Sequence, residues 1–229
     1  MNDFLFGIYP YIALTVLIVG SIVRYERDPF TWKSSSSQLL RRKQLVLGSI
    51  LFHVGILVIF FGHLIGLLTP LAVFHALGIP DSAKQTLAVV AGGLAGIMAL
   101  IGGLVLLHRR LMDPRVRANS TFADTGILVL LMAQLILGIG TIFISIQHLD
   151  GGEMVKFMAW AQGIFFFQAG AADYVADVAP IFKAHLFLGL TIFLLFPFTR
   201  LVHMLSVPVR FVLRPGYQIV RSRRSKTAE

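Results

Sequence analysis

The 229-residue sequence contains no cysteine, and that absence removes disulfides, covalently attached c-type haem, protein-ligated iron–sulfur clusters and thiol nucleophiles. Charge is scarce too: 14% of the residues are Asp, Glu, Lys or Arg, against roughly one quarter in an ordinary soluble domain. The period-2 alternation of a membrane barrel strand is missing. With no convincing strands, there is no glycine-rich nucleotide loop following one.

Apolar sequence fills the space left. Hydrophobic residues make up 56% of the chain and gather in runs of about 20 or more, the length that crosses a hydrocarbon core as helix. Five runs stand out, near Phe4–Val23, Leu45–Thr69, Leu87–Leu107, Thr125–Ile146 and Ile181–Met204. Because lipid offers nothing to an unpaired backbone group, the expected fold is all-α. It is an integral membrane bundle of five transmembrane helices, forming a single domain over residues 1–229.

No basic region precedes the first run and Arg24, Tyr25 and Glu26 follow it, so it reads as a retained helix rather than a signal peptide. The 20 basic residues are distributed unevenly: six between Arg24 and Gln44, four between His108 and Thr121, and six after Leu205. The other two connections hold only Lys84 and Lys156. By the positive-inside rule the N-terminus is then periplasmic and the C-terminus cytoplasmic. The net charge of +9 reflects membrane anchoring rather than a nucleic-acid surface. The basic tail 206–229, with Arg221-Ser-Arg-Arg-Ser-Lys, has anchoring as its first reading and acidic lipid or a partner protein as its second. Gly92, Gly93, Gly96, Gly102 and Gly103 recur at small-xxx-small spacing, which favours close helix packing over any cofactor contact.

Seven histidines divide into two groups. His75, His108 and His148 lie in or beside connections and are expected to be solvated. His53 and His63 lie in the second run, and His185 and His203 in the fifth, where an unpaired imidazole is costly. The second and fifth runs are antiparallel, so His53 shares the inner side with His203, and His63 the outer side with His185. Two pairs of neutral imidazoles suit the axial ligands of two b-type haems, and with no carboxylate or thiolate beside them a hydrolytic zinc site fits less well. Packing or a proton relay is the competing reading of the four. The spans are unequal: ten residues separate His53 from His63, about 15 Å of helix, whereas 18 separate His185 from His203, about 27 Å if unbroken. Pro197 is expected to kink or locally unwind the fifth helix between the latter two.

Basic residues near these positions could partner haem propionates: Arg41, Arg42, Lys43, Arg109 and Arg110, which read first as positive-inside anchors, and Arg200, the exception, less than one turn from His203.

Taken in order, the fragments Asp3–Tyr11, Leu51-Phe-His-Val-Gly-Ile-Leu through Gly62-His63, Leu67-Leu-Thr-Pro70 and Leu100-Ile-Gly-Gly-Leu-Val-Leu-Leu107 form a specific pattern. It continues through Arg109-Arg-Leu, Pro114-Arg-Val-Arg-Ala, Trp160-Ala-Gln, and His185 through Leu194-Leu-Phe-Pro-Phe198 to Arg200-Leu-Val-His203. The sequence resembles the gamma-subunit family of respiratory nitrate reductases, the membrane cytochromes b of those complexes. The resemblance implies a bacterial inner-membrane protein with two b haems, a distal one on His63 and His185 and a proximal one on His53 and His203. It implies quinol oxidation at the distal haem, near Gly62, His63 and Lys84. It also implies electron delivery to an iron–sulfur subunit that serves a molybdenum-containing catalytic subunit, where nitrate is reduced.

Lys84 as donor to a quinol oxygen or a propionate competes with Lys84 as a snorkelling interfacial lysine. The stretch Met154–Gln168 reads as an interfacial helix anchored by Trp160. Two further readings stay open: the same haems serving another redox complex, and a haem-free scaffold or transporter.

Overall fold

The computed structural model describes residues 1–33, 37 and 39–206; the basic tail from residue 207 onward lies outside them. Among the described residues there is no strand, and five helices are long and apolar enough to cross a membrane.

The first span is a π-helical turn, Phe4–Ile8, continued by α1 (Tyr9–Arg27). The second is α2 (Arg42–Leu68), followed by the short α3 (Leu71–Ala76). The third is α4 (Asp81–Met112), with α5 (Pro114–Ala118) beyond it. The fourth, α6 (Phe122–Ser145), opens with a capping box in which Thr121 and Asp124 satisfy each other's backbone N–H groups. After α7 (Gly152–Phe165) comes the fifth span, α8 (Pro180–Leu195).

Two boundaries depart from the expectation for physical reasons. The third span begins at Asp81, not Leu87, because Pro80 fixes its start and because Lys84 and Gln85 are buried in its first turns rather than exposed in a loop. The fifth span does not run on to Met204. It ends at Leu195, gives way to a 3₁₀ turn over Phe196–Phe198, passes through extended Thr199 (φ −121°, ψ 178°) and resumes as a 3₁₀ segment over Arg200–Leu205. Of the two outcomes expected at Pro197, the helix unwinds rather than kinks.

The spans pack in the order α2, α4, α6, α8, α1, so the first span in the chain rests chiefly on the last. The α2–α4 seam is the tightest, since a methyl group on Gly55 would lie 2.6 Å from the Ala95 carbonyl oxygen, and one on Gly102 would meet the backbone of Gly48 and Phe52. Gly93, Gly96 and Gly103 also face neighbouring side chains, whereas Gly92 faces open space. α2 and α8 are not packed on one another, and the histidine rings bridge the cleft between them.

Polar contacts secure both ends. At the basic end Arg24 donates to the carbonyl oxygens of Pro197 (2.6 Å) and Thr199 (2.8 Å), satisfying groups that the broken fifth helix leaves without partners, and to Thr31 O (2.8 Å) just beyond the first span. Asp113, buried there, caps α5 by accepting from Arg115 N and Val116 N and pairs with Arg41 Nε at 2.8 Å. Burial alone would raise its carboxyl, but the backbone donors of Val116 and Arg115 and the Arg41 guanidinium together hold it below the usual carboxylate value. At the N-terminal end Trp160 is no interfacial anchor: it is buried and donates its indole N–H to Phe6 O at 2.9 Å, which locks α7 onto the first span.

Candidate functional site

The two histidine pairs come together along one cleft, His63 with His185 between α2 and α8, and His53 with His203 between α2 and the 3₁₀ segment beyond α8. The ring centres of His53 and His203 lie 6.2 Å apart, and those of His63 and His185 also lie 6.2 Å apart. Equal separations arise from unequal sequence spacings because the break after Leu195 redirects the chain before it reaches His203.

The ring nitrogens follow a pattern. His53 Nδ1 contacts Ser49 O at 2.7 Å, His63 Nδ1 contacts Ile59 O at 2.9 Å and His203 Nδ1 contacts Arg200 O at 2.5 Å. A carbonyl oxygen can only accept, so each Nδ1 carries the proton and each Nε2 keeps a lone pair. His185 differs: its Nδ1 is buried without a hydrogen-bond partner among the described residues, and its Nε2 lies 3.4 Å from the Gln134 amide nitrogen, which also donates to His185 O at 3.1 Å. Gly138 is required beside it, since a Cβ there would lie 2.9 Å from the imidazole Cε1.

This donor set fits a metal held between two imidazoles. Two metal–nitrogen bonds of about 2 Å, with each ring centre about 1 Å behind its nitrogen, add up to about 6 Å between centres, and both pairs are separated by 6.2 Å. Hydrogen bonds from Nδ1 to backbone carbonyls are the supports that orient a metal-ligating imidazole. Groups of three or more His, Cys, Asp or Glu that could surround an ion do not occur among the described residues.

At the basic end Arg200 Nε lies 3.7 Å from Asp124 Oδ1, a carboxylate partner the sequence did not reveal. Arg110 lies within electrostatic range of both, and its buried Nη1, like Nε of buried Arg109, has no hydrogen-bond partner among the described residues. Donors of this kind suit the carboxylates of a haem. Arg109 otherwise donates to Ser37 O at 2.7 Å and Leu40 O at 2.7 Å.

Lys84 is not a snorkelling lysine. Only 7% exposed, it donates to Gly66 O at 2.8 Å, touches Met158 Sδ at 2.6 Å and lies 4.2 Å from the centre of the Phe74 ring. Gly66 O is one of the last α2 carbonyls without an intrahelical partner, so Lys84 caps that helix. Gln162 does the same for Leu67 O (3.0 Å) and Thr69 O (3.2 Å). Gly66 is one turn beyond Gly62, and no side chain or backbone lies within 4 Å of where a Cβ would stand on either. Lys84 is therefore tied to α2 one turn outward of His63, beside an open stripe of that helix.

Gln134 and Arg24 escaped the sequence reading. Gln134 had a signal, a primary amide within the apolar run of α6. Arg24 had none that separates it from an anchoring charge.

The nitrate reductase gamma subunit family matches residues 2–223. The chain is 52% identical over 223 residues to respiratory nitrate reductase 1 gamma chain of Escherichia coli (strain K12), covering 97% of this chain and 98% of that one. It is 39% identical to nitrate reductase gamma chain of Bacillus subtilis (strain 168), covering 97% and 99%. With five membrane-crossing helices and near-complete coverage of both relatives, the chain belongs to the nitrate reductase gamma subunit family, the multi-pass inner-membrane anchor of respiratory nitrate reductase.

Proposed function

We propose that this chain is the quinol-oxidising dihaem cytochrome b of its complex, with a periplasmic N-terminus. It takes electrons from quinol at the outer end and delivers them at the basic, cytoplasmic end to an iron–sulfur subunit, beside a molybdenum-containing catalytic subunit. The observation that carries this reading is the pair of matched histidine couples, both with rings 6.2 Å apart, stacked along one cleft. In this reading His63 and His185 hold the distal b haem and His53 and His203 the proximal one; bound there, the haems would supply reversible one-electron chemistry.

The chain's own residues do the rest. Ser49 O, Ile59 O and Arg200 O hold three of the four rings by Nδ1, which would leave each Nε2 available to a haem iron. Arg110 and Arg200 hold propionates at the basic end. Lys84 presents an ammonium with three donors, of which Gly66 O takes one strongly and the Met158 thioether one weakly, so a donor remains for a quinol oxygen beside Gly62 and His63. A reduced-minus-oxidised spectrum of the purified complex tests the reading, together with haem stoichiometry. Two b haems per gamma chain are expected, and the lack of a b-type alpha band would overturn it. A partner of another redox type would leave that spectrum intact but uncouple haem oxidation from nitrate.

A further inference from the structure

Between α2 and α4 the chain makes a short detour. Pro70 opens α3, Gly78 in the left-handed region (φ 73°) closes it, and Pro80 starts α4. The detour brings two residues of no assigned role together, His75 Nε2 and Asp81 Oδ1, at 2.9 Å. Its position makes this pair more than a surface contact. Phe74, the residue before His75, carries the Lys84 ammonium over its ring at 4.2 Å. Asp81 stands one turn before Lys84 on α4, and its carboxylate attracts the Lys84 charge. From the other side Gly151 (φ 88°) closes on Asp81, where a Cβ would lie 2.8 Å from the Asp81 Cβ and 2.9 Å from its backbone carbonyl, so the first residue of α4 is packed in place while its carboxylate meets His75. Lys84 on α4 interacts electrostatically with Asp81, and Asp150 precedes in the chain the Gly151 that packs on it. The His75 side chain remains 52% exposed and that of Asp81 33%, giving the pair a path to water.

Oxidation of a quinol to the quinone breaks two O–H bonds and releases two protons and two electrons. In the proposed function the electrons leave singly to one-electron acceptors, but the protons need a base. An ammonium serving as donor cannot accept them, and neither can the carbonyl and thioether beside it. A carboxylate can only accept, so Asp81 fixes the proton of His75 on Nε2 and leaves Nδ1 with a lone pair, and imidazole is the side chain suited to exchanging protons near neutral pH.

We propose that His75, oriented by Asp81, is the proton exit of the quinol site, taking the two quinol protons one after the other on Nδ1 and passing each to outside water. The proposal rests on the quinol-oxidising reading above. Asp81 is the positioning residue: it selects the tautomer and stabilises the imidazolium formed in each transfer.

The test uses the complete complex with a soluble quinol as donor and nitrate as acceptor. His75→Gln keeps a hydrogen bond to Asp81 but cannot carry a proton. It is expected to lower kcat about tenfold, at the low end of what a general base contributes, with the quinol KM and both haem spectra unchanged. Added imidazole should restore the rate, and the acid limb of the wild-type pH profile should disappear in the variant. Asp81→Asn should shift that limb and respond less to imidazole. An unchanged kcat in His75→Gln overturns the relay, as does a loss that appears in KM and resists imidazole. A wild-type complex that carries both haems yet is not reduced by quinol overturns the quinol-oxidising reading and the relay together.

Discussion

Arg24 reaches from the first span to the last and donates to the carbonyl oxygen of Pro197 at 2.6 Å, at the point where the fifth helix has broken. A second bond to Thr199 O, at 2.8 Å, holds the next link of the same segment, four residues before His203. Hydrogen bonds from a charged donor contribute about 1.5–3 kcal/mol each. Arg24→Ala is therefore expected to loosen the Phe196–Leu205 segment and weaken the His53–His203 site while sparing His63 and His185. Haem counting with separate spectra for the two centres checks this: loss confined to the proximal haem supports it, and equal loss of both counts against it.

His63→Ala or His185→Ala should remove only the distal haem, because each leaves His53 and His203 intact, 6.2 Å apart. The haem content per chain should fall from two to one. Loss of the proximal haem with retention of the distal one would refute the pairing.

Lys84→Ala should slow quinol-dependent haem reduction by about tenfold or more, the loss expected when one positioned donor to a substrate oxygen is removed. Both haems should stay bound. The same change strips the cap from Gly66 O, so a modest fall in thermal stability is expected alongside. A variant that is less stable but has unaltered quinol kinetics and inhibitor binding would leave Lys84 as a helix cap alone.

In the proposed function, quinol oxidation at the outer end, with electrons moving toward the basic end, would separate charge. The membrane potential opposes this transfer by about 2.3 kcal/mol per charge per 100 mV. In sealed vesicles about two protons per quinol should appear on the outer side during nitrate reduction, following quinol stoichiometry and the orientation given by the basic residues. Proton release on the cytoplasmic side would move the quinol site to the His53–His203 end.

Asp113 gives a pH dependence with a definite sign. Its carboxyl is held below the usual value in the folded protein, so its contribution is fully present above that usual value and is lost as pH falls through the lower, folded one. Asp113→Asn, which can still cap α5, should be less stable than wild type at neutral pH, and the difference should close in acid. Melting curves of both proteins from neutral to acid pH would show it, and a gap that persists or widens in acid would exclude the Arg41–Asp113 pair as its source.

Hydropathy and charge made the five spans legible, and the four histidines of the second and fifth apolar runs pointed to the two sides of the cleft, although His203 lies past the end of the fifth span. What stayed hidden depends on partners far away in sequence. Lys84 looks like a loop residue because the apolar run starts at Leu87, yet it is buried since α2 presents a free carbonyl and α7 presents Met158. Trp160 has the composition of an interfacial anchor, but its indole N–H is used on Phe6 O. Pro197 announced a disturbance without saying whether the helix would bend or stop. That was decided by Arg24, whose guanidinium satisfies the exposed carbonyls, and by Gly20, which leaves room for the proline ring.

The partnership of the first span with the last has a consequence for biogenesis. A contact between residues 173 positions apart cannot form until the ribosome has made nearly all the described chain. At about 5–20 residues per second that interval is roughly ten to thirty-five seconds. During it the first helix must wait in the bilayer without its final neighbour. A nascent chain truncated before Pro197 would accordingly have every hydrophobic segment it needs for insertion and still lack the clasp that closes the bundle, which makes this stretch a natural point for membrane quality control to tell finished from unfinished protein.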